Sequence, residues 1–373
     1  MPSPRPSAAA RPTIALAAGG TGGHLFPAEA LARELMARGH TVVIHTERRG
    51  AQYDKALAGI PHVVLPASSL EGGVAAKAKA VLTILRGVLA SRRDLKRRKA
   101  ALVVGFGGYP SFAPALAAKS LGLPLLLHEQ ATRLSKANAQ LLRFADGLAT
   151  SFPQVAGAEG FDGEKVAETG NPVRRAILDA RGDYPPFGPD TPLRLLVVGG
   201  SQSAAVFGRV LPPALLALPE GIRHRLQVAL QYRGEDADAI AARLREAGID
   251  ATVRPFFDDM GERLREAHLV VTRAGATTAA DLLAIGRPAI FVPLPHGGAR
   301  EEQRRNAETL AQAGVGWHLP EARLAPETLA AVLREAFESP TRLPEAARAA
   351  ASLGRPDAAA RLADAVEGLL RGT

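Results

Sequence analysis

Residues 13–46 read TIALAAGGTGGHLFPAEALARELMARGHTVVIHT and contain the pattern that decides the fold. An apolar run ends at Ala18, and the glycine loop GGTGG follows at 19–23. Residues 28–38 have the apolar spacing of a helix that Gly39 closes, and a second apolar run occupies 41–46. The order strand, glycine loop, helix, strand is typical of a parallel α/β sheet whose first strand ends at the loop.

The second half of the chain repeats this pattern. Residues 193–198 (LRLLVV) predict a strand, GGSQS at 199–203 is another glycine loop, and a helix is expected from Val206. Further strand-like runs follow each start, at 102–104, 123–127, 147–150, 227–230, 251–254, 269–272 and 289–292. The sequence therefore predicts an α/β chain with two Rossmann-like domains that face a cleft.

Composition supports two domains and excludes several function classes. The chain has 373 residues, 47% of them hydrophobic, which favours two globular cores over one. It contains no cysteine, so disulfides, iron–sulfur clusters, thiolate zinc sites and cysteine nucleophiles are excluded. The Pro-rich start lacks the apolar core of a secretory signal, and no apolar stretch is long enough for a membrane span. We expect a soluble chain in the cytoplasm.

Domain boundaries follow from the Pro- and Gly-rich segment RGDYPPFGPDTP at 181–192, which we interpret as a linker. It separates an N-terminal domain, 12–180, from a C-terminal domain, 193–345. Residues 346–373 are Ala-rich and are expected to be helical.

Both glycine loops are expected at the carboxyl ends of first strands, where doubly wound sheets bind ligands. Backbone N–H groups and a helix N-terminus at such a loop suit a phosphate. A tight turn that needs positive φ explains either loop alone equally well. Glu47, at the end of the second strand, also fits the ribose-binding acid of a dinucleotide enzyme. Against a dehydrogenase, His24 directly follows the first loop, and one NAD leaves the second loop unexplained.

The order and spacing of several motifs resemble one family. They are GGTGGHLFPA (19–28), GFGGYPS (105–111), LHEQ (127–130), GNPVR (170–174), GGSQSA (199–204), FFDDM (256–260) and RAGATTAADLLAIGRPAIFVPLPH (273–296). Together they resemble the MurG family of bacterial peptidoglycan glycosyltransferases. The resemblance implies a GT-B fold and inverting transfer of N-acetylglucosamine from UDP-GlcNAc to the 4-hydroxyl of undecaprenyl-pyrophosphoryl-MurNAc-pentapeptide. It also implies that 12–180 serves the acceptor and the membrane, that 193–345 binds the donor, and that 346–373 packs back on the N-terminal domain.

The resemblance also assigns site residues. His24 is the expected catalytic base, because a helix N-terminus disfavours the imidazolium form; Glu129 is the competing catalytic candidate. Expected donor-binding residues are Thr21, Gly22, Gly23, Arg174, Ser201, Gln202, Phe257 (through its backbone), Ala276, Thr277, Asp281 and Gln303. Expected acceptor-binding residues are Gly19, Gly20, Tyr109 and His128. Apart from the resemblance, Asp281 is interpreted as a first-turn charge that favours the helix dipole.

Neither a metal nor an organic cofactor is expected. Arg174 and helix dipoles suffice to stabilise a leaving diphosphate, and Asp258-Asp259 fits a helix start better than a metal site.

Three positions depart from the family pattern. Ala131 replaces the asparagine that usually follows HEQ, Ser203 replaces a glycine of the second loop, and the loop 296–303 is one or two residues longer. Two functional alternatives therefore stay open: a related UDP-sugar transferase with another lipid or small-molecule acceptor, and a non-catalytic UDP-GlcNAc-binding subunit.

Residues 71–100 contain nine basic and two acidic residues, a net charge of +7. An apolar stripe at helical spacing runs through them, formed by Val74, Ala78, Val81, Leu82, Leu85, Val88 and Leu89. Such a stripe between basic flanks fits an anionic membrane surface, so we expect peripheral binding at the cytoplasmic face of the cell membrane. A helix packed on its own sheet gives the same pattern. Only 5% of the residues are aromatic, which argues against nucleic acid as a partner.

Overall fold

The computed structural model describes residues 12–20, 22–68, 73–199, 204–296 and 300–372. The chain passes from a first compact unit to a second after Pro172 and returns to the first at Asp357. The helices and strands of the first unit are β1 Thr13–Ala17, α1 Gly22–Ala37, β2 Thr41–Thr46, α2 Asp54–Leu57, β3 His62–Val64, α3 Val74–Arg97, β4 Ala100–Gly105, α4 Phe112–Ser120, β5 Leu125–Glu129, α5 Lys136–Leu141, β6 Gly147–Thr150 and β7 Val166–Glu168.

The second unit contains α6 Arg175–Asp179, β8 Leu193–Val198, α7 Ala204–Leu216, α8 Glu220–Arg223, β9 Leu226–Gln231, α9 Ala237–Glu246, β10 Asp250–Arg254, α10 Met260–Glu266, β11 Leu269–Thr272, α11 Ala276–Ile285, β12 Ala289–Phe291, α12 Arg300–Gln312, β13 Gly316–His318, α13 Pro326–Glu338 and α14 Arg342–Leu353. The last helix, α15 Ala358–Arg371, belongs to the first unit.

Each unit is built on a parallel sheet, as the sequence predicts. The strand order is β3-β2-β1-β4-β5-β6-β7 in the first unit and β10-β9-β8-β11-β12-β13 in the second. Alternate residues of β1 enter different cores, Ile14 and Leu16 on one face and Ala15 on the other. Continuous apolar runs are therefore required, because helices cover both faces of each strand.

Strand register brings the loops of each unit together. Ala17 at the end of β1 pairs with Gly105 at the end of β4, so the two loops that follow lie side by side. In the second unit, Val198 of β8 pairs with Thr272 of β11, which aligns the loops that begin at Gly199 and Arg273. Each glycine loop thus starts at the carboxyl edge of its own sheet.

The C-terminal 28 residues form parts of two helices rather than one. Pro356 cannot continue a helix, and Gly354 passes so close to α11 that a Cβ there would stand 2.4 Å from the carbonyl oxygen of Leu283. After this break α15 packs Leu362, Ala363 and Val366 into the core beside α1. An ion pair from Arg38 Nη1 to Asp364 Oδ1 at 2.6 Å and a hydrogen bond between His40 Nε2 and Glu367 Oε1 at 3.0 Å complete its docking.

The segment 181–192 lies within the second unit and is held there by hydrogen bonds. The buried guanidinium of Arg287 donates to the carbonyl oxygen of Asp183 at 2.9 Å, and the Tyr184 hydroxyl donates to that of His268 at 2.9 Å. Among the helices of the described residues, none is long and apolar enough to cross a bilayer.

Candidate active site

The first glycine loop is fastened to the loop after β2 by the carboxylate of Glu47. Its Oε1 accepts the N–H groups of Gly20 and Gly50, both at 2.9 Å, and its Oε2 accepts that of Arg49 at 2.8 Å. Glu47 is buried, and these backbone donors occupy both of its oxygens. The interpretation of Glu47 as a ribose-binding acid is therefore wrong, and its role is to hold the loop.

His24 lies in the first turn of α1 with its ring half-buried. Its Nδ1 is 2.8 Å from the carbonyl oxygen of Phe106. A carbonyl only accepts hydrogen bonds, so Nδ1 carries the proton and Nε2 keeps the lone pair. Burial lowers the pKa of His24, although the bond to Phe106 opposes this, and the ring is therefore neutral near pH 7.

The ring of His24 rests on two glycines that have left-handed backbones, Gly107 at φ 82° and Gly108 at φ 69°. A Cβ on Gly108 would lie 3.4 Å from Nε2, and one on Gly107 would lie 3.6 Å from Cε1. The bare backbone therefore keeps the Nε2 side of the ring clear of side-chain atoms from these two positions.

Tyr109 follows these glycines and is half-buried. A Cβ on Gly20 would lie 3.8 Å from its ring, so the tyrosine lies beside the first glycine loop. Burial raises the pKa of Tyr109, and the negative charge of Glu47 raises it further. The hydroxyl is thus protonated at neutral pH and able to donate a hydrogen bond.

The two central residues of the LHEQ motif, His128 and Glu129, have buried side chains. His128 is fully buried, its Nε2 donates to the carbonyl oxygen of Gly170 at 3.1 Å, and burial lowers its pKa to about 4. Glu129 is also buried and accepts three hydrogen bonds, from Ser135 N at 2.8 Å, Asn138 Nδ2 at 2.9 Å and Ala131 N at 3.2 Å. Burial raises the pKa of Glu129 against these bonds. Its carboxylate organises the 131–138 segment instead of facing solvent.

The second unit carries an ion pair between Arg174 and Asp281. Arg174 Nη2 lies 3.0 Å from Asp281 Oδ2, across 107 positions of sequence. Asp281 is buried, and burial raises its pKa while the Arg174 charge opposes the rise. It is the sixth residue of α11, so its interpretation as a first-turn charge is wrong.

Side chains of α12 hold the segments before α11 and after β12 through hydrogen bonds. Gln303 is buried, and its Oε1 accepts the N–H of Leu294 at 3.1 Å. Its Nε2 lies 4.0 Å from where a Cβ on Gly275 would stand, directly before Ala276 and Thr277. Asn306 Nδ2 donates to the carbonyl oxygen of Ala274 at 3.0 Å. These contacts gather Ala276, Thr277 and Gln303 at one edge of the second sheet.

Sequence reasoning missed Arg273 in this region. Arg273 is buried, donates from Nη1 to the carbonyl oxygen of Val292 at 3.1 Å, and pairs with Glu321 at 2.6 Å. Its place at the start of the RAG motif was the available signal. The predicted Phe257 is buried with the guanidinium of Arg263 over its ring, whereas the neighbouring Phe256 is 56% exposed.

Some expected site residues cannot be placed. Thr21, Ser201 and Gln202, together with Ser203 and part of the 296–303 loop, lie outside the described residues. In the described part of the chain, no group of three His, Cys, Asp or Glu side chains is arranged to hold a metal ion.

Comparison with known proteins identifies the family of the chain. The glycosyltransferase family 28 N-terminal domain matches residues 14–150, and the glycosyltransferase family 28 C-terminal domain matches residues 194–362. The chain belongs to glycosyltransferase family 28.

Curated family 28 relatives match nearly the whole chain. A protein of Rhodospirillum centenum is 47% identical over 356 residues, 95% of this chain and 94% of the relative. One of Methylobacterium sp. strain 4-46 is 46% identical over 357 residues, 95% of this chain and 96% of the relative. Both are named UDP-N-acetylglucosamine–N-acetylmuramyl-(pentapeptide) pyrophosphoryl-undecaprenol N-acetylglucosamine transferase.

A solved structure agrees. The crystal structure of Acinetobacter baumannii MurG has a TM-score of 0.76 and 30% identity, and the match covers 96% of this chain and 99% of that one. The predicted resemblance and the predicted GT-B fold class are therefore confirmed, and this family 28 chain is a glycosyltransferase. The dehydrogenase alternative is excluded.

Proposed function

We infer that this chain transfers N-acetylglucosamine from UDP-GlcNAc to undecaprenyl-pyrophosphoryl-MurNAc-pentapeptide. The observation that carries this proposal is the near-full-length match to relatives named for that reaction, at 46–47% identity over 95% of the chain. The same residues that the fold brings to the two sheet edges supply groups suited to each half of the reaction.

The acceptor half of the proposal uses the first unit. His24 Nε2 takes the proton of the muramyl 4-hydroxyl, and that oxygen attacks C1 of the sugar with inversion. The bond from C1 to the UDP oxygen breaks as the new bond forms, its electron pair leaves with UDP, and the proton stays on the imidazole. Gly19, Gly20 and Tyr109, which lie together at the first glycine loop, are proposed to line the site of the acceptor pyrophosphate. Supporting this role, His24 has Nδ1–H bound to a carbonyl, which leaves Nε2 as the basic nitrogen.

The donor half uses the second unit. Asp281 is proposed to bind the ribose hydroxyls, and Arg174 the diphosphate, whose charge grows as UDP leaves. The 3.0 Å pair between Arg174 and Asp281 keeps both groups in one place, and Oδ1 of Asp281 has no hydrogen-bond partner among the described residues. An acceptor oxygen in that state suits a hydroxyl ligand. Ala276, Thr277 and Gln303 are proposed to contact the sugar and ribose.

The first unit is also proposed to bind an anionic membrane at its cytoplasmic face through α3. Val81, Leu82, Leu85 and Leu89 are 48–56% exposed, although they are large and apolar. Lys77, Lys79, Arg86 and Arg93 are exposed on the same helix, whereas Val88 packs toward the core. An exposed apolar stripe with basic flanks fits a leaflet that contains the lipid-linked acceptor.

The membrane proposal is tested by sedimentation with vesicles of phosphatidylglycerol and phosphatidylcholine. Lys79, Arg86 and Arg93 are changed together to Glu, and the control carries the same charge change at the exposed Arg209, Arg334 and Arg348 of the second unit. Binding should fall at least tenfold in the first variant and much less in the second. Equal binding by both variants contradicts the proposal.

The reaction itself is tested with radiolabelled UDP-GlcNAc and a lipid-linked muramyl-pentapeptide analogue. Wild type should transfer the sugar, His24→Gln should bind UDP yet lose turnover, and Asp281→Ala should weaken donor binding. Tight donor binding without transfer by wild type contradicts the proposal and favours a binding subunit. Transfer to a different lipid acceptor alone favours the related transferase.

A further inference from the structure

Gln130, the last residue of LHEQ, leaves β5 at its carboxyl end and is buried beside His24. Its Nε2 lies 3.1 Å from Nδ1 of His24 and 3.4 Å from the carbonyl oxygen of Phe106, the same oxygen that accepts the Nδ1–H bond at 2.8 Å. One carbonyl therefore serves two donors, one from α1 and one from the end of β5. The two side chains, 106 positions apart in sequence, meet at this carbonyl.

This arrangement differs from the usual support of a histidine base. In a Ser-His-Asp triad a carboxylate accepts the Nδ1–H bond and stabilises the imidazolium that forms. Here a neutral backbone carbonyl accepts it, and a neutral amide fills the remaining space next to Nδ1. Because the amide carries no charge, it gives the imidazolium form none of the stabilisation that a carboxylate at this place would give.

The titratable side chains on the elements around His24 make their contacts with groups other than its ring. On β5, His128 donates to Gly170 and the Glu129 carboxylate is bound by the 131–138 segment. After β2, Glu47 is bound by backbone N–H groups, and the Tyr53 hydroxyl accepts from Gly22 N at 3.1 Å. Tyr109, after β4, lies beside Gly20, and the first turn of α1 contains no acidic residue. None of the carboxylates on these described elements is hydrogen-bonded to the ring of His24.

We propose that Gln130 is the positioning residue of His24: its neutral amide shares the Phe106 carbonyl with the imidazole, fixes the ring against that carbonyl, which accepts the Nδ1–H bond, and occupies the place where a carboxylate would convert the histidine into a charged dyad. The proposal rests on the proposed role of His24 as the base. It predicts that the identity of residue 130 sets the pH range of the reaction as well as its rate.

The test replaces the amide in two ways. Gln130→Glu keeps the size and puts a carboxylate about 3 Å from Nδ1, and a charge at such a distance raises a histidine pKa by about 1–2 units. The acid limb of the kcat/KM profile should move upward by the same amount, while the plateau at high pH stays within about fivefold of wild type. Gln130→Met removes the hydrogen bond without adding charge, so kcat should fall about 10- to 100-fold with the acid limb and the KM for UDP-GlcNAc unchanged.

The control is Gln140→Glu, the same chemical change at an exposed position of α5, which should leave the profile unmoved. Titration of the ring Cε1 signal of His24 by ¹³C NMR, assigned with His24→Gln, reads the same shift without any turnover. An acid limb and an NMR titration that coincide in wild type and Gln130→Glu overturn the proposal. A shifted NMR titration in a protein that transfers no sugar supports the positioning contact and refutes the proposed function instead, so the two failures are distinguishable.

Discussion

Substitutions of Glu129 test whether this buried acid of the first unit acts in catalysis or only holds the structure. Its buried carboxylate accepts bonds of 2.8, 2.9 and 3.2 Å, all from residues of the 131–138 segment. Each hydrogen bond to a charged group contributes about 1.5–3 kcal/mol, and removing the acceptor leaves its buried donors unpaired. The contributions are not additive, and truncation also removes the cost of burying a charge, so we expect Glu129→Ala to lower the free energy of unfolding by about 3–5 kcal/mol.

Glu129→Gln separates the structural role from the catalytic one. The amide keeps one accepting oxygen but sets an NH₂ group against a donor, for an expected cost of about 1–2 kcal/mol. If the carboxylate only holds the 131–138 segment, transfer by Glu129→Gln should stay within about tenfold of wild type. If it were the general base, transfer should fall about 10²- to 10⁴-fold with little loss of stability.

Two measurements locate the effect. The only tryptophan, Trp317, lies in the second unit, so urea unfolding is followed both by its fluorescence and by circular dichroism of the whole chain. Hydrogen exchange of residues 131–138 should accelerate in Glu129→Gln and more so in Glu129→Ala. A Glu129→Gln protein with wild-type stability and exchange but no turnover refutes this reasoning.

Three further perturbations have definite expected outcomes. Gly108→Ala puts a methyl group 3.4 Å from His24 Nε2 on a backbone at φ 69°, so kcat should fall at least tenfold, and isothermal titration should find UDP binding unchanged. Gly87→Ala sets a Cβ 2.3 Å from the carbonyl oxygen of Pro66, so urea unfolding should show a loss of about 1–3 kcal/mol in the free energy of unfolding. The same clash should displace α3 and weaken the binding to vesicles that sedimentation measures. Asp94 accepts from the buried His45 at 3.0 Å, a bond that, with help from Arg98, holds its pKa well below the usual range. The Asp94 carboxylate therefore stabilises the fold above about pH 4, and this stabilisation is lost as the pH falls through the lowered pKa. The urea midpoints of Asp94→Asn and wild type should accordingly converge in acid.

The pH dependence of Glu129 has the opposite sign, because burial raises its pKa in the folded state. The raised value favours the protonated form of the folded protein, so this group stabilises the fold most below the pKa of the unfolded chain. That contribution is lost as pH rises through the raised pKa. Glu129→Gln should remove this dependence in a comparison of urea midpoints between pH 4 and pH 8, and a difference from wild type that is constant over this range contradicts the assignment.

The layered fold was predictable because its signal is local. Continuous apolar runs followed by glycine loops and helices identify buried parallel strands, and both sheets begin where such runs begin. The ends of the strands were harder to predict from the sequence. The run 123–127 predicted a strand that the structure shifts to Leu125–Glu129, since Pro124 has no N–H to donate and contributes only its carbonyl, to Val103. That shift of two residues puts His128 and Glu129 on the strand itself and decides where their side chains point.

Roles that depend on partners far along the chain were not predictable. Positions 47 and 129 are both glutamate, and the sequence alone does not distinguish their roles. In both cases the carboxylate accepts hydrogen bonds from backbone N–H groups that only the folded chain brings together. The pair between Arg174 and Asp281 spans 107 positions, and neither residue shows it locally. His24 is different, because its place directly after a glycine loop already fixes it at a helix N-terminus.

The departure at Ala131 can now be weighed against this geometry. The family asparagine at that position would present a side-chain amide, but the contact that matters for the 131–138 segment is made by the backbone N–H of residue 131 to Glu129, which any residue except proline supplies. Asn138 does not replace the lost amide, because its Nδ2 is bound inward to Glu129 and to the carbonyl oxygen of His128 at 3.0 Å. The substitution therefore removes a polar group from the sheet edge without disturbing the contacts of Glu129 or the shared carbonyl beside His24. Its effect should fall on sugar recognition, as a raised KM, rather than on the base.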